Sequence, residues 1–202
     1  MPEWIQFLAD LDRDLFLFLN DIRADWLDRP MYILTKGWAW AWVYPIVIWF
    51  MAKHYGWRTA VASVLGVALV ITFADRGSVE LFKEVFQRLR PSHNPLLEGQ
   101  VHLVTNFDGE IYKGGKFSFV SSHASNYFGL ATYFSLILGK YNRKWWFWMM
   151  LWALAVSYTR IYLGVHYPGD IFVGALFGML CGSTAFLIVR LVINKIPKLN
   201  NL

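Results

Sequence analysis

The chain has 202 residues, of which 56% are hydrophobic and 18% aromatic but only 16% charged. That mix is too apolar for a soluble domain of this size to bury, so a membrane is the expected solvent. The net charge of +5 comes in short clusters between apolar runs instead of along one stripe, which argues against a nucleic-acid partner.

The first residues carry Glu3, Asp10, Asp12 and Asp14 where a cleavable signal would have a basic start and a short apolar core. Among these acids Ile5, Phe7, Leu8, Leu11, Leu15, Phe18 and Leu19 recur near a helical period. The pattern predicts an amphipathic helix on the membrane surface within residues 1–30, with a short sixth span as the alternative. Five runs then approach the roughly 20 residues needed to cross the hydrocarbon core. They are Met31 to Ala52, Trp57 past Phe73, Ser122 to Leu138, Trp145 to Leu163 and Asp170 to Ile193. Helix-compatible sequence continues from the second run through Asp75, Arg76, Glu80 and Lys83 to about Phe86, as one long helix rising out of the bilayer. Cys181 lies in an apolar helix, suits packing, and excludes an internal disulfide because it has no second cysteine. The expected fold class is all-α: an integral membrane helical bundle with five to six transmembrane helices plus an N-terminal amphipathic helix, one domain over 1–202.

Lys53 and Arg58 follow the first run, Lys140, Arg143 and Lys144 follow the third, and Arg190, Lys195 and Lys198 follow the fifth. With five spans these segments share one side, which an excess of Lys and Arg marks as cytoplasmic. The acidic N-terminal region, the connection from about Gln87 to Ser121 and the turn from Gly164 to Gly169 then face outward, and every chemically suggestive residue lies there. The expected location is a bacterial-type inner membrane with the site on its outer face.

Lys83 and Arg90 are seven residues apart and would share a helical face if the helix ran that far, before Pro91 ends it. Alone, such a pair also fits snorkelling towards headgroups. Ser121, Ser122 and His123 open the third run, where serine is a natural N-cap and a helix N-terminus suits an anion; a capped helix with an interfacial His fits equally well. Arg160, His166 and Asp170 stand at the boundary of the fourth and fifth runs, where ionisable groups need a partner or a polar cavity. A carboxylate beside an imidazole fixes its tautomer and leaves the other ring nitrogen free to attack. His93, His102, His123 and His166 match no zinc spacing, so no metal and no cofactor is expected. Asp75, Arg76 and Glu80 receive no role from pattern alone, although Asp75 could support Arg160.

In this order, the three clusters resemble the signature of the type 2 phosphatidic acid phosphatase family, which is related to the vanadium haloperoxidases. Its first motif, Lys, six residues, then Arg-Pro, fits Lys83 to Arg90-Pro91. Its second, Pro-Ser-Gly-His, corresponds to Val120-Ser121-Ser122-His123 with two departures, and its third fits Thr159-Arg160 through His166 to Asp170 with Thr for Ser. The resemblance covers roughly residues 72–178. It implies that Lys83, Arg90, Ser121, Ser122 and Arg160 hold phosphoryl oxygens and that His166 attacks phosphorus with Asp170 behind it. His123 would protonate the leaving group, and a phosphohistidine would join the half-reactions. The partners implied are a lipid phosphate and membrane lipids, with no obligate protein partner evident. Undecaprenyl diphosphate is the favoured substrate, ahead of phosphatidylglycerol phosphate, phosphatidic acid and lipid A phosphates. From another class, a non-catalytic lipid-binding or transport protein is disfavoured because His123, His166 and Asp170 are all present.

Overall fold

Three of the expected spans form as single helices whose ends coincide with capping residues. The computed structural model describes residues 2–195, so Lys198 of the third basic segment lies outside the described residues. Helix α6 (Ser122–Leu138) starts at Ser121, whose hydroxyl accepts the Ala124 N–H at 3.3 Å. Helix α7 covers Lys144–Tyr162 and α8 covers Pro168–Asn194. Proline opens α8 where its missing N–H costs nothing, and Asp170 in that first turn accepts the Tyr167 N–H at 2.9 Å. Helix α4 (Trp57–Ser78) passes through a π turn at Val79–Lys83 into the short α5 (Glu84–Phe86), giving one segment of 30 residues. At about 45 Å it overshoots a hydrocarbon core of about 30 Å. This segment and α8 are the described helices long and apolar enough to cross a membrane by length and composition. No strand forms among the described residues; isolated bridges join Leu89 to Phe117 and Thr105 to Ile111.

The run from Met31 to Ala52, expected as one span, is not one helix. It divides into the end of α2 (Asp25–Leu34), a 3-10 turn at Gly37–Trp40, and α3 (Val43–Tyr55). At 13 residues α3 is about 20 Å long, short of the core thickness. The chain leaves the helix at Thr35, whose hydroxyl is bonded to Arg160, and turns extended at Lys36. A tertiary contact therefore interrupts a run that composition leaves continuous.

Helix α1 (Glu3–Asn20) forms where the apolar period predicts it and packs on the ends of α7 and α8. Phe16 and Asn20 are buried, while Trp4, Phe7, Leu11 and Phe18 remain exposed on another face. The Asn20 amide donates to the carbonyls of Ile161 (3.0 Å) and Tyr162 (2.9 Å) and accepts the His102 N–H (2.8 Å). It thereby satisfies carbonyls that the end of α7 leaves free.

Helices α6 and α8 run side by side in the same direction through a ladder of small residues. Gly174, Gly178 and Gly182 face the backbones of Ser121, Ser125 and Gly129, and a Cβ at Gly178 or Gly182 would strike the carbonyl opposite. Close backbone approach of this kind is how helices associate where lipid removes the hydrophobic drive between them. Tyr133 of α6 crosses to α4, filling the space over Gly66 and donating to the Ser63 carbonyl at 3.1 Å. At the far end the Tyr55 hydroxyl donates to the Ile137 carbonyl at 2.9 Å and His54 lies 4.3 Å from the Tyr141 ring. The Lys53–Arg58 junction thus meets the Lys140–Lys144 junction, and Arg190 lines a cavity with Lys140 at that same end.

Gly178→Val is expected to lower stability by about 1–3 kcal/mol through overpacking. The lipid-facing change Leu180→Val should stay within about 0.5 kcal/mol. Thermal unfolding in detergent compares the two.

Candidate active site

His166 sits in the turn between α7 and α8, at 1% exposure. Gly164 makes that turn possible with φ +70°, and a Cβ there would come within 2.8 Å of the His102 carbonyl. The turn is pinned by the Ser92 N–H to the Gly164 carbonyl (3.0 Å) and by the His166 N–H to the Arg160 carbonyl (3.2 Å). One helical turn on, Asp170 places Oδ2 3.4 Å from His166 Nδ1.

Asp170 is itself held from two directions. Its Oδ2 accepts the Tyr167 N–H, and its Oδ1 accepts Arg88 Nη1 at 3.0 Å. Arg88 Nη1 is also 2.8 Å from Asp12 Oδ2, and the guanidinium lies 3.8 Å from the centre of the Tyr167 ring. The other Asp12 oxygen accepts the Gly169 N–H at 2.7 Å, at the start of α8. A chain of contacts thus runs from α1 through Arg88 and Asp170 to His166.

Lys83 and Arg90 reach the same end by a route that helical register does not describe. The helix stops at Phe86, Gln87 turns left-handed at φ +47°, and Leu89 bridges to Phe117. Arg90 Nε then donates to the Phe117 carbonyl at 3.1 Å. Gly114 must be glycine here: its φ is +66°, and a Cβ would come within 2.5 Å of Arg90 Nη1. Lys83 closes the π turn, a distortion often found at functional sites, and Nζ donates to the Ser122 hydroxyl at 2.6 Å. That hydroxyl lies 2.6 Å from the Ser78 hydroxyl. Ser121 has both its polar groups engaged within the fold, its hydroxyl at the α6 cap and its N–H on the Asp170 carbonyl at 3.1 Å. Of the serine pair, Ser122 is the one joined to a cation.

Arg160 is 1% exposed. Its Nη1 donates to the Thr35 hydroxyl at 2.5 Å and its Nη2 to the Tyr112 hydroxyl at 3.1 Å. Those two groups, and not Asp75, hold it; the Asp75 carbonyl accepts the Ser78 hydroxyl. Two guanidinium donors, Arg90 Nη1 and Arg160 Nε, are buried with no hydrogen-bond partner among the described residues. His123, in the first turn of α6, lies within the field of Arg160 and Arg90.

Burial and then the neighbouring Arg160 charge bring the Arg90 guanidinium down to about 10. Burial, followed by the charges of Arg90, Arg160 and Lys83, holds the His166 imidazole well below its ordinary value, so it is neutral. Burial alone would raise the Tyr112 phenol, but Arg160, Arg90 and Lys36 pull it below its usual value. The arrangement is a neutral imidazole oriented by a carboxylate, beside buried cations with donors to spare for an anion. No three of His, Cys, Asp and Glu gather to hold a metal among the described residues.

Sequence reasoning missed Asp12, Arg88, Thr35 and Tyr112. Arg88 stands two residues from Arg90, where a helical reading turns it away. Asp12 is one of several acids on α1, and no local pattern singles it out.

The pattern of the PAP2 superfamily matches residues 59–193. The chain belongs to the PAP2 superfamily. The match reaches beyond residues 72–178, over which the motifs suggested it. The chain is 38% identical over 189 residues to the lipid A 4'-phosphatase of Bacteroides thetaiotaomicron, covering 92% of this chain and 80% of that protein. It is 32% identical over 182 residues to the lipid A 4'-phosphatase of Porphyromonas gingivalis, covering 90% of this chain and 74% of that one. The crystal structure of the transmembrane PAP2-type phosphatidylglycerolphosphate phosphatase of Bacillus subtilis shares the fold, with a TM-score of 0.65 at 23% identity over 95% of this chain and 88% of that one. As a PAP2 protein the chain is a membrane phosphatase, and the geometry above is its candidate catalytic centre.

Arg88→Gln should lower kcat by about 100-fold with little change in KM, since displacing a catalytic group by about 1 Å carries that cost. Steady-state kinetics on a lipid phosphate check this, and a loss in KM alone would make Arg88 a substrate-binding residue.

Proposed function

We propose that this chain is a metal-independent phosphatase that removes a terminal phosphate from lipid A through a phosphohistidine intermediate. The observation that carries the reading is the pair of buried guanidinium donors, Arg90 Nη1 and Arg160 Nε, left over beside the neutral His166. Buried polar groups are ordinarily paired, and a phosphoryl group supplies the matching acceptors. Phosphoryl transfer needs in-line positioning and charge neutralisation above all, and Lys83, Arg90 and Arg160 with the α6 N-terminus supply both.

In the first half-reaction the free ring nitrogen of His166 bonds to phosphorus as the ester bond to the lipid oxygen breaks. Asp170 stabilises the positive charge that grows on the imidazole. The leaving oxygen takes its proton from His123, in the role that the family resemblance assigns. Water then attacks the phosphohistidine, giving its proton back to His123, and inorganic phosphate leaves as His166 is restored. Ser122 presents the hydroxyl through which Lys83 is held.

The relatives support the choice of substrate. The expected outward-facing site, taken with the family resemblance, favoured undecaprenyl diphosphate, but the two lipid A 4'-phosphatases match this chain along nine-tenths of its length, and lipid A phosphate becomes the proposed substrate. In this reading the membrane is a bacterial inner membrane and the site opens on its outer side. The gathering of basic segments at the opposite end supports that orientation. The exposed apolar face of α1 suits the headgroup region on the outer side.

Phosphate release in detergent with a chelator, from lipid A, undecaprenyl diphosphate, phosphatidylglycerol phosphate and phosphatidic acid, tests the reading. Release from lipid A above the others, lost in His166→Ala, is the expected result. Activity that vanishes in chelator and returns with magnesium would sink the metal-free mechanism.

The pH profile has a sign. With its folded value held well below 6.5, His166 stays unprotonated until the medium is more acidic than the ordinary imidazole range. The acidic limb of kcat/KM should therefore lie on the acid side of the ordinary imidazole range. A rate that does not fall on acidification would contradict the role assigned to His166.

A further inference from the structure

At the end of the bundle opposite His166, Lys140, Arg143 and Arg190 line one cavity of about 550 Å³. They come from the α6–α7 junction and from the last turns of α8, and no acidic residue lines the cavity. Ser135 also lines it, fully buried, with a hydroxyl that has no partner among the described residues. Bases at this end would follow from membrane topology alone. Topology does not explain why three of them surround one cavity, or why a buried hydroxyl without a partner lies in its wall.

A second feature begins at the same place. Trp146 lines this cavity and also an apolar groove of about 480 Å³ bounded by Phe128, Phe147, Met150 and Leu154. From Trp146 to Leu154 the groove climbs eight residues of α7, about 12 Å towards the middle of the bundle. That is close to the depth of one leaflet of a core about 30 Å thick. A basic chamber at the membrane boundary, joined through an indole to an apolar channel one leaflet deep, has the form of an amphiphile with an anionic head.

We propose that this chamber and groove bind an anionic phospholipid of the leaflet opposite the catalytic site, its phosphate among Lys140, Arg143 and Arg190 and one acyl chain along α7. Basic pockets between spanning helices are suited to anionic headgroups. The site is separated from His123 by the length of α6, 17 residues or about 25 Å, so it is not the substrate site. Binding there is independent of which lipid phosphate the enzyme hydrolyses.

Native mass spectrometry of delipidated protein, titrated with phosphatidylglycerol, phosphatidylcholine or glycerol 3-phosphate, tests this. The expected result is a clear preference for phosphatidylglycerol over both. The double change Arg143→Gln with Arg190→Gln should weaken phosphatidylglycerol by about 30-fold, taking each cation near the surface at its usual worth, and leave phosphatidylcholine unchanged. Leu154→Trp, which fills the groove, should weaken phosphatidylglycerol while phosphatase activity persists as the check on folding. If the double variant does not fold, Leu154→Trp alone decides. Equal retention of phosphatidylglycerol and phosphatidylcholine by the wild type, glycerol 3-phosphate binding as tightly as the lipid, or phosphatidylglycerol retention unchanged in the folded variants would each overturn the proposal.

Discussion

Arg90 and Arg160 are buried near enough to act on each other's charge, and each such burial carries a penalty of several kcal/mol unless the charge is met. Much of the His166 end of the bundle is a response to that demand. Thr35 leaves its helix to bond Arg160, and the Tyr112 phenol meets the same guanidinium from the long loop. The Phe117 carbonyl takes Arg90, and glycine at 114 lets the backbone pass close by. These partners are hydroxyls and carbonyls, not carboxylates. They orient the cations without neutralising them, which leaves the positive potential for a dianionic phosphoryl group.

The carboxylates of the site are kept for a different task. Asp170 and Asp12 flank Arg88, and Asp170 reaches His166. One cation and two anions therefore sit behind His166, while the uncompensated cations lie in front. Separation of this kind keeps a phosphate from being repelled by the group that orients the imidazole. It also gives α1 a part in the site, because Asp12 holds both Arg88 and the first turn of α8.

How much of this could be read from sequence depended on whether a feature was local. Helices α6, α7 and α8 were legible because each is an uninterrupted run with a cap at its head, and Lys83, Arg90, His123, Arg160, His166 and Asp170 because their spacing repeats a known pattern. The break at Thr35 was not legible: it is set by a residue 125 positions away, and an apolar run carries no mark of such a contact. Arg88 and Asp12 were hidden for a related reason. The left-handed turn at Gln87 redirects the chain after the helix, and without it Arg88 and Arg90 would be sorted onto faces by a register that no longer applies. Ser121 looked like a phosphate ligand by motif, yet the α6 cap and the Asp170 carbonyl already occupy its polar groups.

The glycine ladder between α6 and α8 repeats every four residues, so sliding one helix by about 6 Å would bring Gly178 opposite Ser121 and Gly182 opposite Ser125 in equally close contact. Two features oppose the slip. Phe186 would then stand where Gly182 now passes Gly129, and the Ser121 N–H would lose the Asp170 carbonyl. The fold therefore cannot settle its lipid-buried packing first and its chemistry afterwards. Choosing the correct rung of the ladder and placing Asp170 beside His166 are a single event, and a molecule trapped one rung away would be inserted and helical with its site unmade.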